Sequence, residues 1–455
     1  MNTTASEDRL AKLSWRERIC YGLGDTGFNF FWVNISAFLL FFYTDVFGIS
    51  AAVAGSMMTI VKVINAFTDA GLGAIADRTQ TRFGKYRPFL IWGSVPLCFA
   101  AVMLYTTPNL GGQGKAIWAF ATYLLMMTCY TLVSIPYSAL SGVITANPNE
   151  RDIINSARFV GGYLGGALVT WGTQKLVKIL GGGNDILGWQ LTMAFWGVLA
   201  VILFAFTFFN TRERVTAVAN TQPRIMDDIK DLMSNVPWIA VFFLNLMVMI
   251  LLTLRVSTAI YYFKYYVGKP DFTAHFLPMF MVAAVVGAFS APFLLRVFEK
   301  KTLLLLLMLG TGLCSLAFYF VPPDGITYMV ILQILIGFAL GVKPPLTFSM
   351  LADTADYNEW KKGRRATAMT FAAGVFSQKL GSVLATVVIT AVFTALGYQA
   401  NQVQTAESLG GIVFLMSVIP AAFAFLSMIA LVFYKLDRAA MEKIQSDLLA
   451  RKTQV

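Results

Sequence analysis

Twelve apolar runs follow one another along the chain, at approximately residues 27–47, 51–76, 88–106, 115–140, 156–180, 188–210, 236–263, 272–295, 302–321, 325–350, 366–397 and 410–434. A helix crossing a hydrocarbon core of about 30 Å needs about 20 mostly apolar residues, and these runs match or exceed that. A backbone in lipid must satisfy its own hydrogen bonds, so the pattern predicts helices. The longer runs predict tilt or protrusion. Polar intervals are short, with one exception between Asn210 and Pro237, which carries Arg212, Glu213, Arg214, Arg224, Asp227, Asp228, Lys230 and Asp231. That interval divides the runs six and six. The expectation is an all-α membrane protein with twelve transmembrane helices in two six-helix bundles. Its parts are a leader (1–26), an N-terminal bundle (27–210), a linker (211–235), a C-terminal bundle (236–434) and a tail (435–455).

Composition agrees. Of 455 residues, 57% are apolar and 13% charged, where a soluble protein carries roughly a quarter charged. This excludes a soluble enzyme, a disordered chain and a fibrous protein. The net charge of +11 is a topology signal. Counted by alternate polar segments, 26 Lys and Arg fall on the side of the termini and 5 on the other, which orients both termini to the cytoplasm. No basic folded module is present to take nucleic acid. The polar stretch Met1 to Arg18 reads as a cytoplasmic leader rather than a cleaved signal.

Cys20, Cys98, Cys129 and Cys314 are scattered without metal or disulfide spacing and read as small packing residues. The one histidine, His275, is placed in an extracellular loop. Neither a metal site nor a cofactor is expected.

Corresponding positions of the two halves echo each other faintly. Asp77-Arg78 with Arg82, Lys85 and Arg87 is matched by Arg296, Lys300 and Lys301. The Asn147–Arg151 stretch leading to Arg158 is matched by Asp353 to Arg365. Such repeats are a common basis of transporters.

Ionisable residues within a span are costly and are functional candidates by default. Asp69 is the acid deep in a predicted span. The bases are Lys62, Arg255, Lys343 and Lys379, with Arg158 near the start of the fifth helix. Asp25 is placed just before the first span and Asp45 at its far end. Asn65, Thr68 and Asp69 share a helical face, and Lys62 lies about 10 Å away along the axis. Desolvation raises a buried carboxylate's pKa and a nearby cation lowers it, so Asp69 reads as a proton carrier; a static Asp69 ion pair is the structural alternative. Arg255 and Lys343 are expected to snorkel to an interface or pair with loop acids. Asn29, Trp32, Asn34, Tyr130, Thr131, Ser134, Tyr137 and Trp171 supply polar and aromatic surface of the kind that binds sugars. The run from Gly161 to Gly166 reads as a close-packing face with no ligand role.

Gly73 to Arg78 fits the GxxxDR loop signature of the major facilitator superfamily. Tyr21 to Asp25, Phe42 to Gly48, Arg82 to Pro88, Ile135-Pro136-Tyr137 and Asp353 to Trp360 together resemble the glycoside–pentoside–hexuronide:cation symporters, which include the melibiose permease. The resemblance covers nearly the whole chain. It implies a monomeric, alternating-access sugar transporter of a bacterial inner membrane, coupled to a proton or sodium ion. Carried over by position, Asp69 matches a cation-site carboxylate, Thr131 a polar cation-site residue, Tyr130 and Arg158 sugar-cavity residues, and Lys379 a lysine near both sites. Asp353, Asp356 and Arg364 resemble a cytoplasmic gate network.

The chain departs from the melibiose branch where Asn65, Asn29, Ser134 and Ser138 stand at family carboxylate or tryptophan positions. Fewer oxygen ligands of high charge favour protons over sodium. Fewer acids beside Arg158 and Lys379 favour an acidic glycoside such as a glucuronide. Residues 397–405 are similar to the glucuronide-carrier branch. Asp69, Asn65, Thr68, Thr131 and Lys379 are therefore assigned to ion coupling, and Asp25, Asn29, Tyr130, Ser134, Arg158 and Lys379 to substrate binding. The alternatives are an uncoupled facilitator, an exporter of amphipathic compounds, or a membrane-embedded transferase.

Overall fold

A computed structural model describes residues 12–145, 148–214, 230–363 and 367–453. Arg364 and the side chains of Asp69, Asp77 and Arg78 lie outside the described residues. Among the described residues there are helices and no strand, with one isolated bridge between Thr81 and Gly84.

The first half comprises α1 (Trp15–Asn34, prolonged by π-helical turns at Ile35–Leu39 and Phe42–Val46), α2 (Ala51–Arg78), α3 (Pro88–Trp92), α4 (Ser94–Leu104), α5 (Gly112–Ile144), α6 (Pro148–Gly181) and α7 (Asp185–Asn210). The second half comprises α8 (Val236–Tyr261, prolonged by a π turn at Tyr262–Tyr266), α9 (Thr273–Leu294), α10 (Lys300–Ala317), α11 (Ile326–Lys362), α12 (Thr367–Ala395), α13 (Ala406–Met416) and α14 (Val418–Val432). A final helix, α15, runs over Arg438–Thr453. Each of the twelve apolar runs falls on this helical framework. Among the described residues, eight stretches are long and apolar enough to cross a bilayer by length and composition; Ala51–Asn65 of α2 and Pro88–Leu104 are shorter apolar helices, and α1 and α6 are not among the eight. Both carry charge into the interior, through Asp25 on α1 and Arg158 on α6.

Local chemistry sets the boundaries. Ser14 Oγ accepts from Glu17 N (3.2 Å) at the start of α1, as an N-cap hydroxyl does. Asn184, Asn235 and Thr405 cap α7, α8 and α13 in the same way. Gly363, at φ +70°, ends α11, a left-handed position that glycine adopts without a Cβ penalty. Helix α1 begins at Trp15, well before the apolar run at residue 27, because its early charges are satisfied. Glu17 pairs with Arg214 (2.8 Å) and Arg18 with Glu150 (2.8 Å). Asp25 is therefore inside a helix rather than ahead of one. His275 likewise lies in the first turn of α9, beside the Phe272 ring.

Within the first half α1 packs on α6 and α7, and α2 on α5; within the second, α8 packs on α12 and α14, and α9 on α11. The halves meet where α6 lies on α9, α2 on α12, and the Ile35–Leu39 turn on α8. Phe159, near the start of α6, touches Phe348, towards the end of α11. Lys178, at the far end of α6, bonds Asp271 ahead of α9. The beginning of the first half and the end of the second thus lie at the same end of the molecule.

Candidate substrate and coupling site

A cavity of about 400 Å³ lies between the halves, walled by α1, α2, α5 and α6 on one side and by α8 and α12 on the other. This is within the usual range for a small-molecule site. Its lining brings together Asp25, Asn29, Tyr130, Ser134 and Arg158 from the expected substrate set, and Asn65, Thr131 and Lys379 from the expected coupling set. An adjoining lobe of about 210 Å³ shares Asp25, Asn29 and Trp32 and continues along apolar residues such as Phe159, Leu252 and Met281.

Close helix packing builds the substrate wall. Thr26 Oγ1 donates to Gly161 O (2.9 Å), and a Cβ on Gly165 would lie 2.8 Å from Thr26 O. Glycine at these positions lets two helix backbones approach. That approach carries Arg158 Nε to within 2.9 Å of Asp25 Oδ1. Arg158 Nη2 also donates to Ser138 Oγ (3.1 Å), and the guanidinium lies 5.1 Å from the Tyr137 ring. Asn29 Nδ2 donates to Asp25 O (2.9 Å) and reaches Asp25 Oδ2 (3.4 Å). The first-helix carboxylate absent at position 29 is thus supplied one helical turn earlier. It neutralises Arg158, so one of the bases expected to favour an acidic glycoside is already compensated.

Tyr21 and Tyr137 hold the floor of the wall with reciprocal bonds, Tyr137 Oη to Tyr21 O (2.6 Å) and Tyr21 Oη to Tyr137 O (3.2 Å). Trp32 and Tyr130 lie side by side, ring centres 5.9 Å apart. They offer aromatic faces next to the polar groups.

Elsewhere on the first-half wall Asn65 Nδ2 donates to Thr131 Oγ1 (2.9 Å) and Met127 O (3.3 Å), tying α2 to α5. Thr68 turns its hydroxyl back to Asn65 O (3.1 Å) and is not part of the lining. Lys62 Nζ reaches across to α12, where it donates to Thr386 Oγ1 (2.9 Å), Ser382 Oγ (3.1 Å) and Ser382 O (3.3 Å). The assignment of Asp69 concerns a side chain outside the described residues.

Other expectations are changed by the packing. Arg255 is buried rather than snorkelling, and it meets no acid among the described residues. Its Nη1 donates to Met416 O (2.8 Å) and its Nη2 to Gln333 Oε1 (2.6 Å), with the guanidinium 4.7 Å from the Phe318 ring. Met416 is the last residue of α13, where the break at Ser417 leaves carbonyls without helical partners. Arg255 is thus a cap for that break. Lys343 is buried and bonds Asn245 Oδ1. The Gly161–Gly166 run is not purely a packing face: a Cβ on Gly162 would meet Asp25 Oδ2 and Asn29 Nδ2, so Gly162 borders the site. Asp353 accepts from Lys300 Nζ (2.6 Å) and Tyr434 Oη (3.1 Å), both within the second half. Asp356 is engaged, and Arg364 lies outside the described residues.

One cluster was missed. At the end away from the termini, the Asp45 carboxylate, its side chain only 1% exposed, accepts from Lys264 Nζ (2.7 Å), Tyr398 Oη (2.8 Å), Tyr265 Oη and Thr44 Oγ1 (2.6 Å). Asn401 Nδ2 bonds the Asp45 carbonyl (2.7 Å), and Thr44 meets Tyr261 (3.1 Å). Burial, followed by Tyr261 and Asp45, pushes the Tyr398 hydroxyl well above the usual tyrosine range, so it remains a donor at physiological pH. A signal was available: Phe42 to Gly48 is echoed 220 positions later by Tyr262 to Gly268, each opening on two aromatic residues and ending on glycine. The backbone repeats too. Phe47 N bonds Phe42 O (2.8 Å) as Val267 N bonds Tyr262 O (3.0 Å), and Gly48 and Gly268 have φ of +79° and +73°.

Two packed halves around a polar, aromatic cavity, sealed at one end, define a membrane transporter. The chain matches the family described as MFS/sugar transport protein over residues 20–438 and belongs to it. It is 33% identical over 444 residues to the putative glycoside/cation symporter YagG of Escherichia coli (strain K12), covering 97% of this chain and 96% of the relative. It is 33% identical over 431 residues to the isoprimeverose transporter of Lactiplantibacillus pentosus, covering 93% and 89%. A solved D-xylose-proton symporter shares the fold at a TM-score of 0.68 and 16% identity, over 92% of this chain and 97% of that one. The resemblance read from the motifs stands, and the protein is a transporter rather than an enzyme.

Proposed function

We propose that this chain imports a glycoside together with a proton across a bacterial inner membrane. In this reading twelve helices cross the bilayer, the termini are cytoplasmic, and a single chain is the working unit. The halves rock about the cavity and expose it to one side at a time. The observation that carries the reading is the cavity itself, where Asp25, Asn29, Tyr130, Ser134 and Arg158 share one enclosure with Asn65, Thr131 and Lys379 at the interface of the halves. Asn29, Tyr130 and Ser134 bond hydroxyls, and Trp32 offers a ring face. Asp69 carries the proton, and Thr131, Asn65 and Lys379 complete the coupling set.

Two names support the sugar reading: relatives covering nearly the whole chain are called a glycoside/cation symporter and an isoprimeverose transporter. The test is uptake by proteoliposomes holding the full chain, over a panel of neutral and acidic glycosides, with internal pH followed at the same time. Uptake with acidification of the lumen is the expected result; sodium-driven uptake without it would replace the proton. In Asp69→Asn, concentrative uptake is expected to vanish while exchange down a gradient continues. Normal accumulation by that variant would make Asp69 structural.

A further inference from the structure

Among the described residues, the bonds of Lys62 do not account for its charge. It lines the cavity, and its three hydrogen bonds all end on neutral oxygens of α12, those of Ser382 and Thr386. Arg158, facing it across the same space, has the Asp25 carboxylate at 2.9 Å and the Tyr137 ring beneath it. Among the described residues no carboxylate meets this ammonium; a cation so held away from bulk water is unfavourable, and a carboxylate brought by a ligand removes the imbalance. The surrounding hydroxyls suit that role. Both Ser382 Oγ and Thr386 Oγ1 accept from the ammonium; Ser382, which lines the cavity, has a hydroxyl that can rotate to donate to an arriving anion, while Thr386 Oγ1 donates to Ser382 O (3.0 Å) and holds the ammonium in place.

The structure assigns Lys62, together with Ser382 and Thr386, as the subsite that receives the carboxylate of an acidic glycoside. This rests on the glycoside reading above and adds to it the residue that distinguishes a uronide from the corresponding neutral sugar. Of Arg158 and Lys379, the two bases expected to favour an acidic glycoside, Arg158 is already neutralised by Asp25. Because Lys62 belongs to the first half and the two hydroxyls to the second, the bound carboxylate lies across the seam between them.

The test uses a matched pair, phenyl β-D-glucuronide and phenyl β-D-glucoside, titrated calorimetrically into the purified full chain. The unaltered protein is expected to bind the glucuronide at least tenfold more tightly. Lys62→Met is expected to erase that preference while leaving glucoside affinity within about twofold, and Lys62→Arg to keep it. Thr386→Val is expected to weaken the glucuronide selectively, and it serves as a second variant should Lys62→Met fail to fold. Equal binding of the two compounds by the unaltered protein overturns the assignment and leaves the glycoside reading intact. Parallel loss of both compounds in Lys62→Met also overturns it and makes the lysine a strap between halves. Failure of the unaltered protein to bind either compound, or any glycoside of the panel, removes both readings together.

Discussion

At the scale of single residues, the site is governed by which charges are compensated. Asp25 and Arg158 form a pair whose side chains are 17% and 30% exposed. Removing one partner of a fully buried pair costs about 3–5 kcal/mol; the partial opening to the cavity reduces this to about 1–2 kcal/mol. Asp25→Asn is accordingly expected to lower the melting temperature and to weaken glycoside binding at least tenfold. Adding Arg158→Gln is expected to restore much of the melting temperature and none of the binding. Thermal melts and titrations on the three variants check this; a double variant less stable than either single one would show that the charges do not act as a pair. Most of the site was legible at this scale, because a polar or charged residue in an apolar run is conspicuous. Residue 25 was misplaced for the same reason: its neighbours Glu17 and Arg18 depress local hydropathy, and their partners Arg214 and Glu150 are remote in sequence.

At the scale of helices, small residues decide how closely the walls approach. A Cβ on Gly161 would lie 2.9 Å from Gly22 C and 3.0 Å from Thr26 Oγ1, while one on Gly162 meets the side chains of Asp25 and Asn29 at 2.5 and 3.0 Å. The second half has a counterpart: Gly381 of α12 lies against α8, a Cβ there falling 2.6 Å from Leu246 O. Two neighbouring substitutions should therefore separate packing from binding. Gly161→Val forces α1 and α6 apart, with an expected loss of about 1–3 kcal/mol of stability. Gly162→Ala, which displaces the Asp25 carboxylate rather than a helix backbone, is expected to lower the melting temperature less than Gly161→Val and to reduce glycoside affinity. Equal melting temperatures for the two variants would refute the division. The glycine spacing announced close packing in the sequence, but not that adjacent glycines face different ways. That depends on the rotation of α6 against α1, which no local pattern specifies.

At the scale of the whole molecule, the two halves were legible from the polar interval between α7 and α8, whereas the seal at the far end was not. Asp45, Lys264, Tyr265 and Tyr398 are each ordinary in their own segments, and only the tertiary fold brings them together. Asp45→Asn keeps the size of the side chain and removes the charge that Lys264 meets at 2.7 Å, so the sealed arrangement should lose population. A cysteine at Ser36, in the adjoining lobe, is expected to react several-fold faster with an externally added, membrane-impermeant maleimide in the Asp45→Asn background. An unchanged rate would mean that the cluster does not hold that end shut. The residues of this cluster on α1 and α8 ride on widened π turns, Phe42–Val46 and Tyr262–Tyr266. A shift of either turn from the i→i+5 to the i→i+4 register rotates all that follows by about 100°. Unfastening the far end then asks for a one-residue slip in a single coil, and the long helices on either side can pivot as intact rods.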